Sequence, residues 1–321
     1  MARITVLGGT FAGVAAAVRL AHVGHALTLV EPDPTWPDAL GRQLGDTLAF
    51  PAPWRDLFTK SGRPAKGALG LHGLELVPAP DSPGDRGDQW YADVATLGPD
   101  AAATWRDLVD AADRTWLALR PLGLEAEITP AALAAARLDP RRSLEHVARE
   151  LRHPVLAARV RAVASERGLS PADTPAWYTS RLSVERTFGS WHLVTADGAH
   201  TPASALVAVL TDRLAARGVR LATRTADADA AAGADALIDT RDPALVWHRP
   251  RPLSRGDTFV DQLVTRPPIT TGTRGGFAAS ASSAGGAEPW AQILSGALAA
   301  YAAHEYCTGE DIRPTNRSRR H

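Results

Sequence analysis

The chain has 321 residues, 45% of them hydrophobic and 22% charged, enough for one large or two ordinary domains with packed cores. Its 35 basic and 35 acidic side chains cancel, which argues against nucleic-acid binding through a basic surface and against a polybasic membrane anchor. The lone Cys307 excludes an internal disulfide framework and a multi-cysteine metal cage, and no apolar run reaches the ~20 residues of a membrane span. Lys60 and Lys66 are the only lysines, so the basic balance is almost all arginine. The apolar stretch after Met1 is broken by glycines, unlike a signal peptide, and a cytoplasmic mixed α/β protein is expected.

Arg3–Leu7 is a short apolar run stopped by Gly8 and Gly9, the pattern of a buried strand ending in a tight turn. Phe11–His22 is alanine-rich and reads as a helix slim enough to lie close on a sheet, with Gly24 at its end. Ala26–Val30 then reads as a second strand, with Glu31 at its carboxyl end. Strand, glycine turn, helix, strand and acid make the βαβ opening of a dinucleotide fold. Farther on, Ala203–Arg217 predicts an amphipathic helix, followed by strands over Val219–Ala222 and Ala236–Ile238. Pro78–Gly87, Arg249–Gly256 and Gly272–Gly286 have loop composition, and the basic tail Arg313–His321 is expected to be disordered.

The spacing has a chemical reason. An anionic pyrophosphate is stabilised at a helix N-terminus by unpaired N–H groups and the helix dipole, and glycines let the backbone approach it. Glu31 lies 23 residues beyond Gly8, where an acid meets ribose hydroxyls and repels the extra phosphate of an NADP-type ribose. Gly8-Gly9-Thr10-Phe11-Ala12-Gly13 departs from G-x-G-x-x-G by placing threonine at the second glycine. A β-branched side chain there adds bulk and tolerates positive φ poorly, so Thr10→Gly is expected to bind a dinucleotide more tightly. Alternatively, the hydroxyl is itself a phosphate ligand.

The segment Ile4–Glu31 resembles the N-terminus of FAD-dependent amine-oxidase-type enzymes, and more closely that of phytoene-desaturase-like oxidoreductases. Scattered stretches are similar to that family through most of residues 3–243, among them Pro51–Pro64, Leu74–Pro78, Thr174–Trp177 and Phe188–Trp191. The resemblance implies a Rossmann-type FAD/NAD(P)-binding domain with an interleaved, mainly helical substrate domain. Residues 1–50, about 200–245 and part of the C-terminal region would form the first, and 51–199 the second. It implies FAD as cofactor, with Gly8, Gly9, Thr10, Phe11, Ala12, Gly13, Glu31 and Arg42 as its binding residues.

The departures bear on function. The family follows the acid with an arginine and a glycine pair lining the flavin, but here Pro34–Asp38 intervenes and only Gly41-Arg42 offers a substitute. The family's Gly-Gly before the long helix is Asp197-Gly198-Ala199, and the chain between Val219 and Ala236 is too short for the usual three-stranded meander. The closing strand that runs into Gly-Asp has Phe277–Ser280 as its nearest candidate, with serine in place of aspartate. In a second alignment, Trp290–Ile312 matches a segment well before the family's end, and the closing segment is missing.

The ten histidines are scattered without H-x-x-x-H spacing, so no metal is expected. Nine tryptophans exceed six phenylalanines; Trp105 and Trp116 are expected on the core face of a helix, and Trp177 and Trp191 are expected to flank a strand pair. No residue is marked as catalytic, because flavin carries the hard chemistry; Tyr178 and His192 are the polar candidates near the expected flavin face. The expected function is FAD-dependent oxidation of an apolar or amine-bearing small molecule, with flavin held weakly or lost on purification. The alternative is a shortened flavoprotein-fold protein that has lost tight FAD binding and serves as a non-redox binding or scaffold protein.

Overall fold

Short runs dominated by aliphatic residues build a parallel sheet whose central strand is buried on both faces, which is why that strand reads as continuously apolar rather than alternating. The computed structural model describes residues 1–49, 51–79, 94–124, 130–139, 141–165, 170–223, 233–241, 269–279 and 289–313. Strand β1 (Arg3–Leu7), helix α1 (Phe11–His22) and strand β2 (Ala26–Val30) open the chain, followed by α2 (Trp36–Gly41) and β3 (Leu48–Ala49). Next come α3 (Pro51–Lys60), α4 (Ala65–Gly70), β4 (Leu74–Pro78), α5 (Pro99–Leu124) and α6 (Pro130–Ala135). Helices α7 (Leu144–Glu150), α8 (Pro154–Ser165) and α9 (Ser180–Phe188) lead to strands β5 (Ser190–Thr195) and β6 (His200–Thr201). The chain continues through α10 (Leu206–Ala216), β7 (Arg220–Ala222), β8 (Ala236–Asp239), β9 (Gly276–Ala278) and α11 (Pro289–Thr308).

The five-stranded sheet has the order β7-β2-β1-β8-β9, with all four pairings parallel. Thus β1 and β2 pair in parallel with Arg3 opposite Ala26 and Leu7 opposite Val30, as the βαβ pattern predicts. The order steps outward from β1 through β2 to β7 and then restarts on the other side of β1 with β8. The fold is therefore mixed α/β. A smaller antiparallel sheet, β3-β5-β4 with β6 on β5, stands apart from it.

Helix α1 is buried over Phe11–Leu20, because it lies between the sheet and α11. Only small side chains permit that: a Cβ added at Gly296 of α11 would stand 2.2 Å from the carbonyl oxygen of Ala12. Gly24, at φ +94°, follows the last turn of α1 in the left-handed region that glycine adopts without strain. The buried guanidinium of Arg19 ties three helices together, reaching Asp56 on α3 at 2.6 Å and the Tyr301 hydroxyl on α11 at 3.2 Å.

The described residues form two apolar cores. The first joins the parallel sheet with α1, α10 and α11, and also takes in Trp54, Leu57 and Phe58 of α3 and Leu193 of β5. The second runs from Val94 to Leu182 and is built by α5, α7, α8 and α9 around Trp105. Trp105 is fully buried on α5 as expected, whereas Trp116 on the same helix is half-buried. The expected strand pair between Trp177 and Trp191 is absent: Trp177 lies in a 3-10 turn, and α9 leads from it to Trp191 on β5. Pro78–Gly87 from Pro80 onward, Arg249–Gly256, Gly272–Gly286 from Ser280 onward, the tail beyond Arg313 and residues 224–232 of the Val219–Ala236 stretch lie outside the described residues. Among the described residues no helix is long and apolar enough to cross a membrane.

Candidate functional site

The carboxyl ends of β1, β2 and β8 converge on the turn between β1 and α1. Gly8 donates to the Val30 carbonyl at 2.9 Å and Thr240 to the Leu7 carbonyl at 2.8 Å, so the turn is pinned to both neighbouring strands. Gly8 has φ +100°, which leaves no substitute free of strain, and its missing Cβ would meet Thr240 Oγ1 at 2.9 Å. Gly13 is required for a different reason. A Cβ there would lie 2.1 Å from the Gly8 carbonyl oxygen, so glycine lets α1 start directly under the turn.

Thr10 is the N-cap of α1, with φ −93° and ψ 168°. The backbone is extended at this position, and the expected conflict with positive φ does not arise. Its hydroxyl accepts from Gly13 N–H at 3.0 Å and lies 3.0 Å from Thr240 Oγ1, which in turn meets the carbonyl oxygens of Leu7 and Gly8 at 2.8 and 2.9 Å. The threonine at the second glycine position therefore satisfies one of the orphan donors of the first helical turn and locks the turn to β8. Thr240 is fully buried; the signal that would have found it is the polar residue closing the apolar run of β8 beside β1.

Glu31 leaves β2 with its backbone N–H on the Ala222 carbonyl at 2.8 Å, which carries its side chain back over the turn. One carboxylate oxygen accepts from Gly9 N–H at 2.7 Å and the other from Asp33 N–H at 3.0 Å. Asp33 in turn accepts from both the N–H and the hydroxyl of Thr35, which hold its carboxyl below the ordinary range. The strap from Glu31 to Thr35 delivers the indole of Trp36 onto the turn: a Cβ at Gly9 would meet its ring at 2.7 Å. Sequence reading missed this contact, because nothing in Pro34–Asp38 marks where a side chain lands in three dimensions.

The structure thus brings Gly8, Gly9, Thr10, Gly13 and Glu31 into one cluster. Phe11 and Ala12 belong to it through their backbone only: the Phe11 ring packs edge-on against Trp54, with centroids 5.5 Å apart, and Ala12 faces Gly296. Thr10 supplies the carbonyl for Val14 N–H and the hydroxyl for Gly13 N–H, so the first-turn groups of α1 left for a ligand are those of Phe11 and Ala12. Arg42 stands apart from this hydrogen-bonded cluster. It is exposed at the end of α2 and lines a 790 Å3 cleft against α10, together with Asp38, Ser204, Thr211 and Asp212.

No family model and no curated protein matches this sequence.

The other candidates are scattered. Tyr178, in the 3-10 turn, lies under the guanidinium of Arg181 at 5.1 Å from the ring centroid, beside the second core. His192 is on β5 opposite Val77, with its ring centroid 5.3 Å from that of His200. Among the described residues no group of three His, Cys, Asp or Glu could hold a metal ion.

Proposed function

We propose that this chain is an FAD-dependent oxidoreductase of the desaturase or amine-oxidase type, built on a Rossmann-type domain and acting on an apolar or amine-bearing small molecule. The observation that carries the reading is the meeting of Glu31 and Gly9, a carboxylate and a glycine turn at the carboxyl ends of β1 and β2. The strand order reverses beside β1, and doubly wound sheets bind nucleotides at that point. Strand β9 supports aligning Phe277–Ser280 with the family's closing segment, since it extends the parallel sheet beyond β8 ahead of α11, which packs on α1.

The residues at the turn suit the adenosine half of FAD. Glu31 would take the ribose hydroxyls, and the N–H groups of Phe11 and Ala12 would face the pyrophosphate at the positive end of α1. When bound, the flavin would accept hydride from carbon or nitrogen. The chain's own part is to bind and orient: Thr10 and Thr240 fix the turn, and Gly13 allows α1 to approach it. Glu31 disfavours a 2′-phosphorylated ribose by its charge.

A second reading has its own observation. In this structure Trp36 covers Gly9 and Glu31 occupies the Gly9 N–H, so the protein's own groups already fill the turn. A protein that keeps the fold without tight flavin binding, and serves a non-redox binding role, would look the same. The absorbance spectrum of protein purified without added cofactor, followed by a titration with FAD, separates the two. A flavin spectrum, or saturable quenching of FAD fluorescence, supports the oxidoreductase. Colourless protein with no saturable response favours the non-redox protein.

A further inference from the structure

Helices α1, α3 and α10 end beside the Ser61-Gly62 turn, and each carries a basic residue in its last turn, His22, Lys60 and Arg213 respectively. Buried Arg213 donates through Nε to Ser61 Oγ at 2.9 Å and through Nη2 to the Ser61 carbonyl, and neither partner is charged. Gly62 has φ +87°, and a Cβ there would lie 2.8 Å from both Arg217 Cζ and His22 Cε1, so a guanidinium and an imidazole rest on its backbone. Arg217 Nε is buried without a hydrogen-bond partner. Arg63 follows Gly62 and, like Arg217, acts on Arg213 by charge. The neighbouring acids are engaged elsewhere: Asp56, one turn before Lys60, by Arg19 at 2.6 Å, and Asp212, next to Arg213, by His72 at 3.3 Å. Among the described residues, no carboxylate forms an ion pair with His22, Lys60, Arg63, Arg213 or Arg217. Partial desolvation first, then the charges of Arg217, Arg213 and Lys60, holds the His22 imidazole below its ordinary 6.5, with no acid acting the other way.

We propose that His22, Lys60, Arg63, Arg213 and Arg217 form a binding site for a phosphate dianion, either free or as the monoester group of a small molecule. A helix C-terminus carries about half a negative charge, so the three that meet here offset less than half of the charge on Lys60, Arg63, Arg213 and Arg217. A phosphate group brings about two more negative charges, which is the scale of the surplus. Guanidinium N–H groups match phosphate oxygens in one plane. Ser61 fixes the direction of Arg213, and Arg217, whose Nε finds no acceptor within the protein, supplies a second fork. Helix α1 runs from the glycine turn to this cluster and separates the two by about 16 Å. The assignment therefore stands whether or not the turn binds FAD.

The test is a calorimetric titration of the full chain with inorganic phosphate and, separately, with glycerol 3-phosphate, at an ionic strength held constant with sodium chloride. Wild type, Lys60→Gln, Arg217→Gln and Arg149→Gln are compared. Wild type is expected to bind phosphate saturably at one site. Lys60→Gln should weaken binding about threefold and Arg217→Gln about tenfold or more, while Arg149→Gln, on α7 and outside the cluster, should bind as wild type does. Tighter binding of inorganic phosphate names the free anion as the ligand, and tighter binding of glycerol 3-phosphate names an organic monoester. Cations that only cap the three helix ends would change stability when removed and bind neither phosphate. No saturable binding to wild type, or equal affinities in all four proteins, overturns the assignment. If Arg217→Gln does not fold, exposed Lys60→Gln against Arg149→Gln decides it in the same way.

Discussion

Replacing Gly13 with alanine tests whether the close approach of α1 to the turn is real. The added Cβ would sit 2.1 Å from the Gly8 carbonyl oxygen and 2.8 Å from Thr240 Oγ1, where Cβ atoms essentially never come within 3.0 Å of a neighbour. The first of these atoms is backbone, so no side-chain rotation relieves the clash, and α1 must withdraw by about 1 Å. That withdrawal pushes a helix buried over Phe11–Leu20 against α11, where the Gly296–Ala12 approach leaves no slack. Overpacking of this kind costs about 1–3 kcal/mol, or somewhat more, and the better helix propensity of alanine offsets at most about 1. A net loss of about 2 kcal/mol is expected, read as a lower urea midpoint with an unchanged slope. Gly70→Ala is the control: Gly70 ends α4, and a Cβ there meets nothing within 4 Å, so its midpoint should stay put or rise slightly. If Gly13→Ala unfolds at the same midpoint as Gly70→Ala, the close approach is wrong.

Thr10→Ala removes the cap of α1 and its link to Thr240 and should cost about 1 kcal/mol in urea unfolding. For the same reason, Thr10→Gly should loosen the turn and fail to tighten nucleotide binding, which an ADP titration checks. Trp36→Ala should raise ADP affinity severalfold while lowering stability, because the indole no longer has to leave Gly9; an unchanged affinity would mean that the strap does not cover the site. His25 is buried with Nε2 2.9 Å from His304 Nδ1, and desolvation first, then His304, holds its pKa below the ordinary 6.5. The unfolded chain therefore binds more protons at this position below pH 6.5, so the contribution of His25 is full above that pH and lost as the pH falls through its lowered folded value. Urea midpoints taken between about pH 7.5 and about 5.5 should fall for wild type and flatten in His25→Phe.

The opening βαβ unit was legible because its information is local: two apolar runs, an alanine-rich helix with matching ends, and Gly24. Helix α10 and strands β7 and β8 were legible for the same reason. Strand β9 was legible only through the family resemblance, which offered Phe277–Ser280 as the nearest closing strand, because the three residues Gly276–Ala278 have no period to read and become a strand by pairing with distant β8. Thr10 was misread as a strained position, since a six-residue motif does not reveal which backbone conformation each residue takes. Trp36 and Thr240 stayed hidden because their places over Gly9 and beside Gly8 are set by a strap and a strand end far from the turn in sequence. Glu31 was placed at its strand end from spacing alone, but its bond to Gly9 N–H required the fold.

The central claim is that the glycine turn and Glu31 bind an adenine dinucleotide, and a calorimetric titration of FAD into wild type and Glu31→Ala tests it most directly. Wild type should show saturable binding at a single site. Glu31→Ala should weaken it by about 1–3 kcal/mol, the scale for losing hydrogen bonds to a charged group. Equal affinities in the two proteins, or no saturable binding to wild type, would contradict the claim.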